Sequence, residues 1–317
     1  MEWRDVTEYG CAGVGQRLTP RPVPAGRPYP LLPTRSSRAA VAAACLTVRP
    51  AYIPLTMLTL FDSAFSPFAR KVRLVLDHKG IEYEAIDGLL LANRDVLARV
   101  NGRVEVPTLD HDGVVVVGSS DIVAYLERVF PAQVVYPASH AEWVHARAWE
   151  RAADSVVDAI LINVSYWMWA ERTDEMPAGL LDAARRDLEQ VHVALERDLA
   201  TRDFVSTSAI SISDIALFPH LVSARSLGLP HDPERFPRLD AWLKRLRAVP
   251  HFAADVARAR RFVVDFLSGN AHERRKIFWR GDRIEWMLSR GHHRWFMNEI
   301  ESDRVLWPGL GIPAARP

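Results

Sequence analysis

From Met57 onward the apolar and polar positions fall into short segments with two different periods. Leu58-Thr59-Leu60-Phe61 reads as a strand beginning at Met57, so a strand is expected over 57–61. Past the stretch Ser63-Ala64-Phe65-Ser66-Pro67, apolar residues recur three and four positions after Val72, at Val75 and Leu76, which predicts a helix that Gly80 stops. Ile81 to Ile86 reads as a second strand, and the right-handed crossover rule makes it parallel to the first. A short helix near 94–100 follows, then a strand ending at Val106-Pro107-Thr108-Leu109 and another over 114–117. Asp112-Gly113 between these apolar runs is a hairpin signal. A helix over 121–128 closes the unit before Pro131. The order β-α-β-α-β-β-α over 57–130 predicts an α/β sheet domain.

After a linker from Pro131 to Pro137 the strand period disappears. One long helical pattern covers 140–170. A second covers 180–199, with Leu181, Ala184, Leu188, Val191, Leu195 and Leu199 on one face. A third begins at Ser211-Ile212-Ser213-Asp214, and two more cover 239–246 and 252–266, separated at Val249-Pro250. Residues 137–266 are therefore expected to be all-helical, and the fold class is α/β plus all-α.

The flanks differ from this core. Residues 1–56 hold Pro20, Pro22, Pro24, Pro28, Pro30 and Pro33 with scattered arginines and no usable periodicity. The apolar stretch Ala39 to Val48 follows Arg35 and Arg38 and admits a signal or transit segment, although its cleavage pattern is poor. The preferred reading is a translation start placed too far upstream, because Met57 directly precedes a clear strand; a disordered tail is the third reading. Residues 267–317 carry Phe278-Trp279, Trp286, Trp295-Phe296 and Trp307, too aromatic for a disordered linker. This extension is expected to cover a site or a dimer edge.

Composition narrows the partner. A formal charge of +1 over 317 residues, with 25% charged side chains, gives no large field for nucleic acid or a membrane surface. A small molecule or another protein remains. No apolar run reaches the roughly 18 to 20 residues that span a bilayer, so a soluble protein is expected. Cys11 and Cys45 are the two cysteines and have no ligand-spaced neighbour, which disfavours a disulfide scaffold and a zinc site. His292-His293 reads as a surface pair, because adjacent histidines rarely share one ion, so no metal is expected. Gly10 to Gly15 follows no strand and does not support a phosphate loop.

The candidate chemistry lies at helix starts. Ser66 before Pro67 is a good N-cap arrangement, worth about 1 kcal/mol. The same place offers free amides and the positive helix end, which favour an anion such as a thiolate. Ser211 with Asp214 matches a capping box and is assigned to stability. Tyr166, Trp167 and Trp169 fit an apolar pocket, a core stripe or a dimer interface.

These segments resemble the cytosolic glutathione S-transferase superfamily over roughly 57–265. Ser66-Pro67-Phe68-Ala69-Arg70-Lys71-Val72-Arg73-Leu74 resembles the first helix of the omega, zeta and related bacterial classes, whose first position holds the catalytic Cys or Ser. Residues 101–109, Asn101 to Leu109, resemble the loop that ends in the family's cis-proline. Residues 118–126, Gly118 to Leu126, resemble the γ-glutamyl-binding turn and helix. Ser211 to Phe218 and Phe236 to Leu243 are similar to two helix starts of the helical domain. The resemblance implies a thioredoxin-like first domain, glutathione as co-substrate and an electrophilic small molecule as partner, in a cytoplasmic homodimer serving detoxification.

By the same resemblance Ser66 stabilises the thiolate, with Ser63 next in line. Val106 pairs its main chain with the cysteinyl part beside a cis Pro107. Glu105, Ser119 and Ser120 belong to the tripeptide site. Read from the residues themselves, Phe68, Tyr166 and Trp167 are candidates for the electrophile pocket, with core or dimer interface as the other reading of the two helix aromatics. A thiol of pKa about 8.5 needs about 2.7 kcal/mol to shift by two units. One hydroxyl hydrogen bond of about 1.5–3 kcal/mol with a helix-end contribution of about 0.3–1 kcal/mol reaches that range. A hydroxyl cannot form a mixed disulfide, so thiol-transferase and dehydroascorbate-reductase chemistry are disfavoured. Two positions depart from the pattern. Gly118 stands where an acidic residue or Gln meets the ligand's amine, with Asp121 or a partner-subunit carboxylate as substitutes, and Glu105 stands where Lys or Gln is common. Both departures leave open a binding or regulatory protein with little activity.

Overall fold

The computed structural model describes residues 57–169, 175–268, 277–278 and 280–306. The expectations for residues 1–56, for Trp279 and for Trp307 lie outside the described residues.

Strand β1 (Leu58–Asp62) leads into helix α1 (Pro67–Lys79), and β2 (Glu84–Asp87) returns parallel to β1 with Thr59 opposite Glu84. Helix α2 (Arg94–Asn101), β3 (Thr108–His111), β4 (Val114–Val117) and α3 (Ser119–Val129) complete the unit. The sheet order is β2-β1-β3-β4, with β3 antiparallel to both its neighbours. This is the expected β-α-β-α-β-β-α sheet. Asp112 and Gly113 both take positive φ, at 51° and 90°, as the two-residue hairpin turn requires.

Two strand boundaries differ from the sequence pattern. β2 begins at Glu84, because Gly80 ends α1 in the left-handed conformation and Ile81 N–H turns back to Leu76 C=O at 3.0 Å. β3 begins only after Pro107, which has no N–H for the ladder.

Helices α4 (His140–Ala152) and α5 (Asp158–Trp169) are one rod interrupted by a π-helical turn at Ala153–Val157, where the sequence pattern predicts an unbroken helix. Helices α6 (Leu180–Asp198), α7 (Ile212–Ala224), α8 (Pro237–Arg247) and α9 (Pro250–Ser268) follow. Pro237 and Pro250 each open a helix, where a missing N–H costs nothing. The aromatic extension is ordered over α10 (Gly281–Ser289) and α11 (His293–Glu301), beside a parallel pair of two-residue strands, β5 (Ile277–Phe278) and β6 (Val305–Leu306).

A continuous apolar core joins the sheet to the helices through α1. Val72, Leu74, Val75 and Leu76 are fully buried, and each such side chain contributes roughly 1.5–3 kcal/mol. Arg70, Lys71 and Arg73 on the same helix are buried as well. α7 starts at the expected capping box: the Asp214 carboxylate accepts from Ser211 N–H and hydroxyl, from Val205 N–H at 3.0 Å and from Trp242 Nε1–H at 2.8 Å. It ties the start of α7 to the preceding loop and to α8, consistent with the stability role. Among the described residues no helix is long and apolar enough to cross a membrane, and no group of three His, Cys, Asp or Glu side chains could hold a metal ion.

Candidate active site

Ser66 sits at the N-cap of α1 in extended conformation, and its Oγ accepts from Ala69 N–H at 3.3 Å. Accepting through a lone pair leaves the hydroxyl proton available, so the capping role and a donor role are compatible. Pro67 supplies no N–H at the first helical position. Ser63 is buried and its hydroxyl accepts from Phe65 N–H at 3.3 Å, while its carbonyl accepts from Ser66 N–H at 3.1 Å. It shapes the approach to Ser66.

The Val106–Pro107 peptide bond is cis. Among the described residues no hydrogen bond engages Val106 N–H or C=O, an open pair of the kind an extended peptide uses. Asn101, fully buried at the end of α2, holds this loop. Its Nδ2 donates to Glu105 C=O at 3.0 Å and to Thr108 Oγ1 at 2.8 Å, and Thr108 Oγ1 donates to Glu105 C=O at 3.0 Å. Gly88 packs beneath. A Cβ there would lie 2.8 Å from Val106 Cγ1 and 2.9 Å from Leu97 Cδ2. Neither Asn101 nor Gly88 stands out in the sequence as a site residue, because their roles are in packing behind the loop. The Glu105 side chain lies beside Arg103, with 3.1 Å between carboxylate and guanidinium.

Gly118 is the N-cap of α3 with φ 93° and ψ 126°, and Ser119 is the first helical residue. The sequence left open a capping role for Ser119; Gly118 takes it, its carbonyl accepting from Ile122 N–H at 2.9 Å. A side chain at 118 would meet only Asp121 Oδ2 at 3.4 Å, so space is not what selects glycine. The backbone conformation is, since any other residue would carry about 1–3 kcal/mol of strain there. The Ser120 hydroxyl is held elsewhere, donating to Glu150 at 2.9 Å or Asp154 at 3.0 Å and receiving from Lys71 Nζ at 3.2 Å. Lys71 also pairs with Glu150 and Asp154, which joins α1, α3 and the rod α4–α5.

On another face of α1, Asp255 of α9 accepts from Arg70 Nη2 at 2.7 Å and Arg73 Nη2 at 2.8 Å. Burial pushes the Asp255 carboxyl up, but the two guanidinium groups outweigh it and hold its pKa below the usual range. Arg70 Nη1 donates to Pro219 C=O at 3.1 Å and Ser223 Oγ at 2.9 Å.

Phe68, two residues after Ser66, meets the His220 ring edge-on at 5.9 Å, and the Arg280 guanidinium carbon lies 4.7 Å from its ring centre. Tyr166 and Trp167 both pack against the C-terminal extension. Tyr166 is buried and stacks on Trp295 of α11 at 6.5 Å, and Trp167 lies 5.3 Å from the same ring. Burial pushes the Tyr166 hydroxyl up to about 12. The two aromatics seat the C-terminal extension, which is also fixed by Arg283 on Asp158 at 2.7 Å and Trp286 Nε1–H on Asp187 at 2.8 Å.

Residues 60–133 match the family described as glutathione S-transferase, N-terminal domain, and residues 169–245 match its C-terminal domain. A probable glutathione S-transferase GSTU1 of Oryza sativa subsp. indica is 30% identical over 199 residues, which cover 59% of this chain and 84% of the rice protein. The chain belongs to the glutathione S-transferase family. Glutathione S-transferase U3 of Arabidopsis thaliana is similar at 24% identity over 198 residues, covering 60% of this transferase and 84% of the plant protein. Among solved structures, a glutathione S-transferase of Rhodospirillum rubrum F11 superposes with TM-score 0.56 at 23% identity over 62% of this chain and 90% of its own. One from Methylobacillus flagellatus KT, solved with glutathione bound, superposes with TM-score 0.55 at 25% identity over 62% of this transferase and 98% of its own chain. The thioredoxin-like sheet followed by a helical domain is thus the family's fold, and the activity is that of a glutathione transferase.

Proposed function

We propose that this transferase is of the serine type, nearest to the zeta and omega patterns over Ser66 to Leu74, and that Ser66 donates its hydroxyl proton in a hydrogen bond to the thiolate of bound glutathione. The observation that carries the reading is the open main chain of Val106 beside the cis bond to Pro107, within the same domain as a helix-capping hydroxyl whose proton is free. Val106 N–H and C=O pair with the cysteinyl unit. Ser119 and the free amides at the start of α3 receive the γ-glutamyl carboxylate, as the first turn of a helix favours. Glu105 and Ser120 act by shaping this edge, Glu105 through its carbonyl held by Asn101 and Ser120 through its bonds to Lys71 and Glu150.

In the reaction the thiol proton leaves to solvent, the sulfur forms a bond to an electrophilic carbon, and the leaving group departs with its electron pair. The Ser66 hydrogen bond and the positive end of α1 favour the ionised thiol by the 2.7 kcal/mol or so that a two-unit shift needs. Serine at this position keeps the chemistry away from mixed disulfides. Phe68 lines the electrophile side, and Tyr166 and Trp167 act indirectly by anchoring α11. We further propose a cytoplasmic homodimer serving detoxification of small electrophiles.

The test is retention on immobilised glutathione, followed by turnover of a panel of electrophiles by the full chain and by Ser66→Ala. Retention by both with turnover lost in the variant is the expected result. Failure of the wild-type chain to bind glutathione would sink the assignment. Unchanged turnover in Ser66→Ala would move the thiolate contact elsewhere.

A further inference from the structure

Residue 280 lies beyond residue 245, where the family match ends, yet its side chain reaches the first turn of α1. The Arg280 guanidinium covers Phe68 with 4.7 Å from its carbon to the ring centre, while His220 meets the same ring edge-on from α7. One nitrogen, Nη2, holds the arginine in place by donating to Asp154 C=O at 3.1 Å, with Asp282 Oδ2 at 3.4 Å. Among the described residues Nη1 and Nε of Arg280 have no partner, and the side chain keeps 32% of its surface exposed.

Arg280 has one long ion pair, with Asp282, whereas the other cations nearby are held more tightly. Lys71 is buried against Glu150 and Asp154, and Arg283 is locked on Asp158. A guanidinium held over an aromatic face keeps its place through cation–π attraction, and its unpartnered Nη1 donates to one oxygen of a carboxylate or similar anion. Cation and ring together offer an apolar surface with one fixed positive edge.

We infer that Arg280, brought in by the C-terminal extension, is a specificity-determining residue that selects aromatic electrophiles bearing a carboxylate. This rests on the reading of Phe68 as a wall of the electrophile site. One oxygen of the anionic group accepts from Nη1 of Arg280, the ring of the electrophile packs near Phe68, and the leaving group points toward the glutathione sulfur. In the transfer itself the thiolate attacks the ring carbon, the C–S bond forms, the C–Cl bond of a chloroarene breaks and chloride leaves with the electron pair.

The test uses two electrophiles that share a chlorodinitroarene core and differ at one substituent, 4-chloro-3,5-dinitrobenzoate and its uncharged methyl ester, with each rate divided by the uncatalysed rate with glutathione to remove the difference in intrinsic reactivity. In the wild-type chain the acid is expected to show the higher normalised kcat/KM. Arg280→Gln should lower that of the acid at least tenfold and leave that of the ester within twofold; Arg280→Lys, which keeps the charge without the planar group over Phe68, should fall between. The acid-to-ester ratio is insensitive to a general loosening of the extension, and thermal melting of both variants checks that they fold. Equal losses on acid and ester, or no loss on the acid, would overturn the inference. If the ester stays sensitive to Ser66→Ala in that case, the site reading survives alone. If the ester is insensitive to Ser66→Ala, or if neither compound is turned over by wild type, the site reading fails and takes the inference with it.

Discussion

Helix α1 presents two contrasting regions within thirteen residues. At its start, Ser66 keeps a hydroxyl proton unspent, and Val106 across the sheet edge keeps a donor and an acceptor open. Along its middle, Arg70, Lys71 and Arg73 are buried against carboxylates of distant helices, with Asp62 at the end of β1 as a second partner of Arg73. The first region is poised to receive a ligand. The second has already received its counterions from the fold itself, and it fixes the helix that carries the first. Polar groups at a domain junction therefore divide by whether the chain supplies their partners, and residue type alone does not distinguish them.

The sharpest way to break this contrast is to remove one counterion. Asp255→Ala leaves two buried guanidinium groups facing each other and is expected to cost about 3–5 kcal/mol in urea unfolding, with kcat of the folded enzyme within about threefold of wild type. A large fall in kcat of folded protein would show that the two regions are not independent. Next in size is Ser66→Ala, which should lower kcat/KM by about 10- to 150-fold, matching a lost hydrogen bond of about 1.5–3 kcal/mol. The KM for glutathione should move much less, and thermal melting should register the lost cap.

His220, edge-on to Phe68, sharpens the comparison through pH. Burial pushes its pKa down to about 4, with the nearby cations Lys71 and Arg70 adding to the effect and Asp158 and Asp154 opposing it. Below its unfolded pKa of about 6.5, the unfolded chain binds a proton that the native protein does not. Stability is therefore lost as pH falls from 6.5 toward 4, by up to about 1.4 kcal/mol per pH unit from this group. His220→Gln should flatten the dependence of unfolding free energy on pH in that window, and an unchanged slope would show that His220 is protonated in the fold. The smallest expected effect is that of Gly88→Ala. Its Cβ would press on Val106 Cγ1 from 2.8 Å, so the KM for glutathione should rise about fivefold, near 1 kcal/mol, with little change in kcat.

Much of this architecture was legible because its signals are local. The Ser66-Pro67 cap, the Asp112-Gly113 hairpin, the Gly80 stop and the Ser211 capping box each depend on residues within four positions of one another. The buried basic stretch of α1 was not, because Arg70 finds Asp255 at a separation of 185 residues and Lys71 finds Glu150 at 79. Written in sequence, Arg70-Lys71-Val72-Arg73 looks like a solvated face. The role of Tyr166 and Trp167 in seating the extension is not legible for a related reason. Their partner, Trp295, lies in an extension that no periodicity of their own helix announces.

The π-helical turn at Ala153–Val157 acts on the phase of the rod it interrupts. An α-helix advances about 100° per residue, so the extra residue sets the angular position of everything from Asp158 onward relative to α4. Deleting one residue from the turn would yield a more regular helix, yet it would swing Asp158 away from Arg283 and Tyr166 away from Trp295. The irregular turn thus works as a clocking device, fixing the azimuth at which the C-terminal extension docks and, through it, the place where Arg280 meets Phe68.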